Sequence, residues 1–409
     1  MDLDDLSGRE AERFEERTRA SRDLFERARR TLASGISSSF HGRDPYPVYI
    51  ARGEGARVWD VDGNEYVDFH NGFSAMVQGH AHPAIRAAVS RRHELGTHFG
   101  ATTEEAVAVA EELARRFGLP RWRFTNSGTE SNMAAIRLAR TLTGREDVVK
   151  TAGTYHGHAD ISPLHEVPFN DAPALAACIE DTRPAAVLLE GAVTSGGLTL
   201  PEPGYLADVR ELTRHHGAVL ILDEVKTGLT IAAGGAVERL DAEADIVTLA
   251  KTLGGGLPAG AVGMTAELAE LVESERLPLL GTYNGNPLSM AAAHASLHEI
   301  LTPTAYEELE RLGARMAAGC EEVIQSNGIE AHVVSLGCKA CVRWRGDDSD
   351  LDQLIWLWLM NRGVFTTPGR VQEWNVTVAH DDATVDRYLE AFDGLLAELS
   401  PRLSGSARA

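Results

Sequence analysis

Across residues 8–34 the apolar positions Ala11, Phe14, Leu24, Phe25, Ala28 and Leu32 recur three and four apart among glutamates and arginines. That period predicts an amphipathic helix with one face laid on a partner surface. A serine-rich turn at 34–39 follows, and then strand-like alternation over 48–69 around Asp62, Gly63 and Asn64, which predicts a small antiparallel hairpin unit. From about 79 to 264 helical periodicity alternates with short, wholly apolar runs, the pattern of strands and crossover helices in a mainly parallel sheet. Beyond 288 an alanine-rich helix (289–300) leads into further helices and strands, including 331–345 and 371–379, as expected of a second α/β unit. The expected division is an N-terminal helix and antiparallel segment at 1–75, a large domain at 76–295, a smaller α/β domain at 296–400 and a loose tail at 401–409. No internal repeat interrupts this order.

The chain has 409 residues, 44% hydrophobic and 24% charged, enough to bury a large core and unlike a disordered, collagenous or disulfide-built sequence. Its 39 basic residues are outnumbered by 60 acidic ones, and a net charge of −21 repels nucleic acid phosphates and anionic lipid heads. No run approaches the ~20 apolar residues of a membrane helix, and the acidic start lacks the apolar core of a signal peptide. Neither nucleic acid nor membrane is an expected partner, and the expected location is cytoplasmic. Cys338 and Cys341 have CxxC spacing without a second pair, and the histidines at 80 and 82, 156 and 158, and 215 and 216 lack acidic or thiol companions. No metal site is expected.

Three apolar runs each end in an ionisable residue: 185–189 at Glu190, 218–222 at Asp223 and 245–250 at Lys251. In parallel α/β sheets ligands sit beyond the carboxyl ends of strands, so these endings converge on one pocket with a lysine between two carboxylates. A structural ion pair is the plain alternative, and three successive strands ending this way weigh against it. The run 123–130 feeds a strand through Ser127, Gly128 and Thr129 into a helix with Met133, Ile136 and Ala139 on one face. Its free first-turn amides, dipole and two hydroxyls suit a phosphate, although alone the segment reads as an N-cap with Glu130 in the first turn. The run 147–150 leads to Tyr155 in a glycine-flanked loop, an aromatic ring placed to stack on a flat ligand. A phosphate cradle, an aromatic lid, an acid for a ring nitrogen and an imine-forming lysine together describe a pyridoxal 5′-phosphate site. There Asp223 keeps the pyridine nitrogen protonated, while Lys251 holds the cofactor as a Schiff base and later shuttles a proton.

With these residues the sequence resembles the class III, fold-type I pyridoxal-phosphate aminotransferases, closest to the subgroup of glutamate-1-semialdehyde 2,1-aminomutases and β-amino acid aminotransferases. The landmarks are residues 55–64, 79–83, 127–130, 155–158, 223–225, 251–258 and 281–288, within a likeness that covers about 47–293. The resemblance implies an α/β fold with a large, mainly parallel seven-stranded domain and a smaller α/β domain built from both termini. It implies a catalytic set of Lys251, Asp223 and Tyr155, with Tyr155 in front of the ring and Val225 behind it. Ser127, Gly128 and Thr129 would hold the phosphate, with His156 and Glu190 also at the cofactor. Thr282 would reach the phosphate of the neighbouring subunit, which implies a homodimer with shared active sites. The implied activity is an aminotransferase working by ping-pong half-reactions on small-molecule amino donors and keto acceptors; an intramolecular aminomutase or an amino-acid racemase using the same lysine is the alternative.

The sequence departs from these relatives where substrate is read. Residues 190–197 read EGAVTSGG, so Thr194 or Ser195 stands where the aminomutases carry an asparagine near the cofactor's phenolic oxygen. Residues 37–40 lack the expected carboxylate-binding arginine, although Arg43 is near in sequence. In the segment 367–377, Arg370 is suited to a carboxylate, Glu373 to an amine or hydroxyl and Trp374 to a pocket wall, with a surface hairpin as the plain alternative.

Overall fold

The N-terminal amphipathic pattern folds as two helices, Leu3–Arg17 and Arg19–Ala28, because Thr18 leaves helical geometry at φ −124°, ψ 40°. The computed structural model describes residues 3–345, 350–367 and 372–406. It divides into two compact units, one of residues 1–71, 79–81 and 311–409, the other of residues 72–78 and 82–310.

In the first unit, β1 (Ile50–Glu54), β2 (Arg57–Asp60) and β3 (Glu65–Asp68) run antiparallel. Asp60 shapes the turn after β2: its Oδ1 accepts the amides of Asp62 at 3.0 Å and Asn64 at 2.8 Å around Gly63, whose φ of 86° suits glycine.

The second unit carries β4 (Arg121–Thr125), β5 (Val148–Thr151), β6 (Leu164–Val167), β7 (Ala186–Leu189), β8 (Val219–Asp223), β9 (Ile246–Leu249) and β10 (Gly260–Met264). They form one seven-stranded sheet in the order β4-β10-β9-β8-β7-β5-β6, in which only the pairings of β10 are antiparallel. Side chains of β8 alternate between two cores. Val219 and Ile221 pack with Leu138 and Val262, whereas Leu220 packs with Val149, Ile179 and Val209. A sheet covered on both faces explains why its strands read as unbroken apolar runs. It also puts β7, β8 and β9 side by side, so Glu190, Asp223 and Lys251 emerge from three adjacent parallel strands.

The chain's second half returns to the first unit through β11 (Ala331–Leu336), β12 (Lys339–Trp344), β13 (Val364–Phe365) and β14 (Gln372–Asn375). β11, β12 and β14 make an antiparallel sheet, while β13 adds parallel to β3, so the N-terminal hairpin becomes a four-stranded sheet completed from the far end of the chain. Phe14 packs against Trp356 at 5.2 Å between ring centroids, joining the two chain ends in one core.

The second boundary falls at 311, inside the helix Pro303–Ser326, and not at 296. The helix Pro287–Ala295 is almost wholly buried in the second unit, and the π-helical turn Ser296–Ile300 that continues it is held there by Arg116, which donates to the carbonyls of Leu297 at 2.7 Å and Leu301 at 3.1 Å. The tail also differs from expectation, since the helix Asp382–Ser406 runs through most of it.

Candidate active site

The central acid is the last residue of β8, a strand buried along its whole length. Asp223 is 4% exposed, and its Oδ1 accepts the amide of Val225 at 2.9 Å. Its Oδ2 accepts from Asn132 Nδ2 and from His156 Nδ1, each at 2.7 Å. Burial pushes this carboxyl up, but the His156 hydrogen bond and charge, with the Val225 amide and Asn132, outweigh it and hold Asp223 below the ordinary carboxylate value. His156 is fixed from its other side. The Thr154 hydroxyl donates to the Thr151 carbonyl at 2.6 Å, which leaves its oxygen to accept from His156 Nε2 at 2.9 Å. Both ring nitrogens of His156 are thus engaged, Nε2 with Thr154 and Nδ1 with the Asp223 carboxylate.

Asn132 was not legible as a site residue in the sequence. It sits in the helix Gly128–Thr143, where Asn132, Ala135, Ile136 and Ala139 form the buried face and Met133, expected inward, is 46% exposed. Its Oδ1 accepts the Thr248 hydroxyl of β9 at 2.7 Å, and its amide also donates to the His156 carbonyl at 2.9 Å. One side chain thus ties the helix to β8, β9 and the loop that carries Tyr155. The available signal was a polar residue at helical spacing on an otherwise apolar face.

Glu190 leaves β7 buried beside Asp223. Its Oε2 accepts the Thr194 amide at 3.0 Å and the Thr194 hydroxyl, and its Oε1 accepts the Ser195 hydroxyl at 3.1 Å. Burial and then the charge of Asp223 push the Glu190 carboxyl up. Ser195 Oγ also accepts the Tyr155 amide at 3.0 Å, and Lys226 Nζ donates to the Thr194 carbonyl at 2.7 Å. The segment that departs from the aminomutase pattern therefore holds Glu190 and anchors the Tyr155 loop. Glu224, fully buried next door, accepts the amides of Ala236 at 2.6 Å and Val237 at 3.0 Å, yet burial still pushes it up to about 7.

Lys251 follows β9 and opens the 3₁₀ turn Lys251–Gly254 with a left-handed φ of 47°. At the anion end, Ser127 caps the helix Gly128–Thr143, its Oγ accepting the Glu130 amide at 3.2 Å. A Cβ on Gly128 would lie 3.0 Å from a Val225 methyl, and one on Gly157 would lie 2.4 Å from Thr129 Oγ1. Glycine at both places lets the cradle, Val225 and the Tyr155 loop close on one another. The Tyr155 side keeps an open ring, 48% exposed. Thr282 is exposed in a turn tied to the cradle, where Asn126 Nδ2 donates to Asn284 Oδ1 at 3.0 Å.

Ser127, Gly128, Thr129, Tyr155, His156, Glu190, Asp223, Val225, Lys251 and Thr282 all lie in the second unit, whereas Arg43, Glu373 and Trp374 belong to the first. Arg43 is half-buried, which pushes its guanidinium down, and it donates to the Gly42 carbonyl. Glu373 on β14 pairs with Cys341 of β12 and places Oε1 3.9 Å from Lys339 Nζ. Trp374 is 1% exposed, its ring 5.8 Å from that of Tyr388, so it has no open face with which to wall a pocket. Arg370 lies outside the described residues.

The family model of class-III aminotransferases matches residues 38–162 and 171–366. A glutamate-1-semialdehyde 2,1-aminomutase of Brevibacillus brevis is 35% identical over 414 aligned positions, covering 91% of this chain and 96% of the relative. Among solved structures, a β-phenylalanine aminotransferase from Variovorax paradoxus superposes with a TM-score of 0.91 at 31% identity over 98% of both chains. A variant glutamate-1-semialdehyde aminomutase from Pseudomonas aeruginosa, solved in complex with PMP, gives 0.91 at 28% identity over 97% of this chain and 98% of its own. Extensive cover by the family model, together with a relative above 30% identity along almost the whole chain, places this protein in the class-III aminotransferase family.

Proposed function

We propose that this protein is a pyridoxal-phosphate-dependent aminotransferase that moves an amino group from an amino acid or amine to a keto or aldehyde acceptor in two half-reactions. The observation that carries the proposal is Asp223, a buried carboxylate held below its ordinary pKa and flanked on adjacent parallel strands by Glu190 and Lys251. Pyridoxal phosphate, when bound, supplies a conjugated ring that takes up the electron pair released at the substrate carbon. The residues present fit such a group: a helix N-terminus kept clear by Gly128 and Gly157, an acid for a ring nitrogen and an open tyrosine ring.

Ser127, Gly128 and Thr129 hold the phosphate through first-turn amides and hydroxyls. With the cofactor bound, Val225 would pack behind its ring and Tyr155 would face it from the front. Asp223 keeps a proton on the ring nitrogen, and the His156 and Asn132 donors keep Asp223 ionised for that task. With the cofactor bound, Lys251 Nζ would hold it at its aldehyde carbon, and once freed from it the same amine would be placed to move a proton between two carbons of the donor. Thr282 serves the phosphate site of a second subunit in a homodimer, and the exposed Leu280 and Tyr283 beside it belong to that interface. The location is cytoplasmic.

An aminomutase, which keeps the amino group on one carbon skeleton, is favoured by the aminomutase relative. The two part in one experiment. With the pyridoxal-phosphate form of the protein and a panel of α-, β- and ω-amino donors but no acceptor, a transaminase releases one keto product per site and stops in the pyridoxamine form. Isomerised or racemised donor with no keto product overturns the transaminase assignment.

A further inference from the structure

The turn that carries Lys251 is clamped by a residue outside the strand that delivers it. Gln78 is fully buried, and its Nε2 donates to the Thr252 carbonyl at 2.7 Å and to Ser296 Oγ on the π-helical turn. From the same segment, the Ser74 carbonyl accepts the Thr252 hydroxyl at 2.9 Å. Thr252 is therefore held at both its carbonyl and its side chain, one residue past Lys251. That position needs holding, because Lys251 sits at φ 47°, a left-handed conformation that L-residues adopt only under constraint.

The other half of the Gln78 amide shows what the residue is for. Its Oε1 is buried without a hydrogen-bond partner among the described residues. The amide orientation is fixed by chemistry, since a flipped side chain would point an oxygen at the Thr252 carbonyl. An orphaned buried oxygen destabilises the fold, and a leucine of similar size would avoid that cost. A side chain present only for packing has no reason to be glutamine here; one present to donate to Thr252 does.

We propose that Gln78 is a positioning residue that acts through Thr252 to hold Lys251 in its left-handed, cofactor-ready conformation. The proposal rests on the assignment of Lys251 as the cofactor-binding lysine. Removing the Gln78 donors frees the turn without emptying the core. The expected phenotype is a split: the apo-protein's melting temperature stays level or rises, while Lys251 loses its preorganised geometry.

The test compares wild type with Gln78→Leu, Thr252→Val and the conservative Thr252→Ser. The readouts are apo-protein melting, the dissociation constant for pyridoxal phosphate, the pH midpoint of the lysine-bound cofactor's absorbance band, and the rate at which an amine-reactive probe labels Lys251 in apo-protein. Gln78→Leu and Thr252→Val each remove one hydrogen bond at Thr252, and each should weaken cofactor binding about tenfold. Both should also shift the absorbance midpoint and change the Lys251 labelling rate, while Thr252→Ser behaves as wild type. Unchanged midpoint, labelling and affinity in Gln78→Leu overturn the proposal, as does a fall in apo-protein melting that accounts for all of the change in affinity. Failure of wild type itself to form a lysine-dependent band would instead overturn the cofactor assignment, leaving the labelling rate to judge the clamp.

Discussion

Replacing Asn132 with alanine removes three buried hydrogen bonds: to the Asp223 carboxylate at 2.7 Å, to the His156 carbonyl at 2.9 Å and from the Thr248 hydroxyl at 2.7 Å. A bond to an ionised acceptor contributes about 1.5–3 kcal/mol and a neutral one about 0.5–1.5 kcal/mol, so the local loss for one of the first and two of the second is about 2.5–6 kcal/mol before relaxation. Water entering the vacated space recovers part of it, and about 3 kcal/mol is the expected net effect. The assay is amide hydrogen exchange of the apo-protein, read on the peptide that spans β8, where 3 kcal/mol is about a hundredfold faster exchange. The pH dependence carries a sign. Asp223 is held below its ordinary value in the folded protein, so its contribution is full above the unfolded carboxylate value of about 3.9 and is lost as pH falls through the lower folded value. The gap between wild type and Asn132→Ala should be constant from pH 7 to pH 5 and narrow only in stronger acid. Exchange that rises less than about threefold at pH 7, or a gap that shrinks between pH 7 and pH 5, would refute the role given to Asn132.

Gly157→Ala puts a methyl within 2.4 Å of Thr129 Oγ1 at a φ of 100°, and should make pyridoxal phosphate dialyse away faster and also lower apo-protein melting, since alanine is strained at that φ. Asp223→Ala should still bind the cofactor through Lys251 but lower kcat by more than about 100-fold, since the ring nitrogen loses its preorganised partner; single-turnover kinetics would check it. Glu224 is pushed up to about 7, so the folded state holds its proton more tightly than the unfolded chain and loses stability as pH rises from about 4.3 through 7. Glu224→Gln removes that loss and should gain up to about 3 kcal/mol relative to wild type between pH 5 and pH 8, measured by denaturant unfolding at each pH.

Much of the fold was written in local pattern. Runs buried on both faces mark β7, β8 and β9, and because each ends in an ionisable side chain, the order of chemistry along the chain became the order of groups along the sheet edge. Contacts made across the fold left no such mark. Asn132 and Gln78 are single polar residues in ordinary surroundings, and only the packed sheet shows that one meets Asp223 and the other Thr252. The opposite happened at Trp374, whose place in a chemically rich segment pointed to a pocket, whereas its ring is buried against Tyr388. The expected boundary at 296 falls within the alanine-rich helical stretch, and the burial of Pro287–Ala295 in the second unit carries that unit on to 310.

The central claim is that Lys251, and no other lysine, carries the cofactor. Borohydride reduction of the pyridoxal-phosphate-loaded protein, followed by peptide mapping, tests it directly. The account predicts one pyridoxyl group per chain on the peptide containing Lys251, and its loss in Lys251→Ala. A label on Lys226, which ends in the same region through its bond to the Thr194 carbonyl, or label that persists in Lys251→Ala, would contradict it.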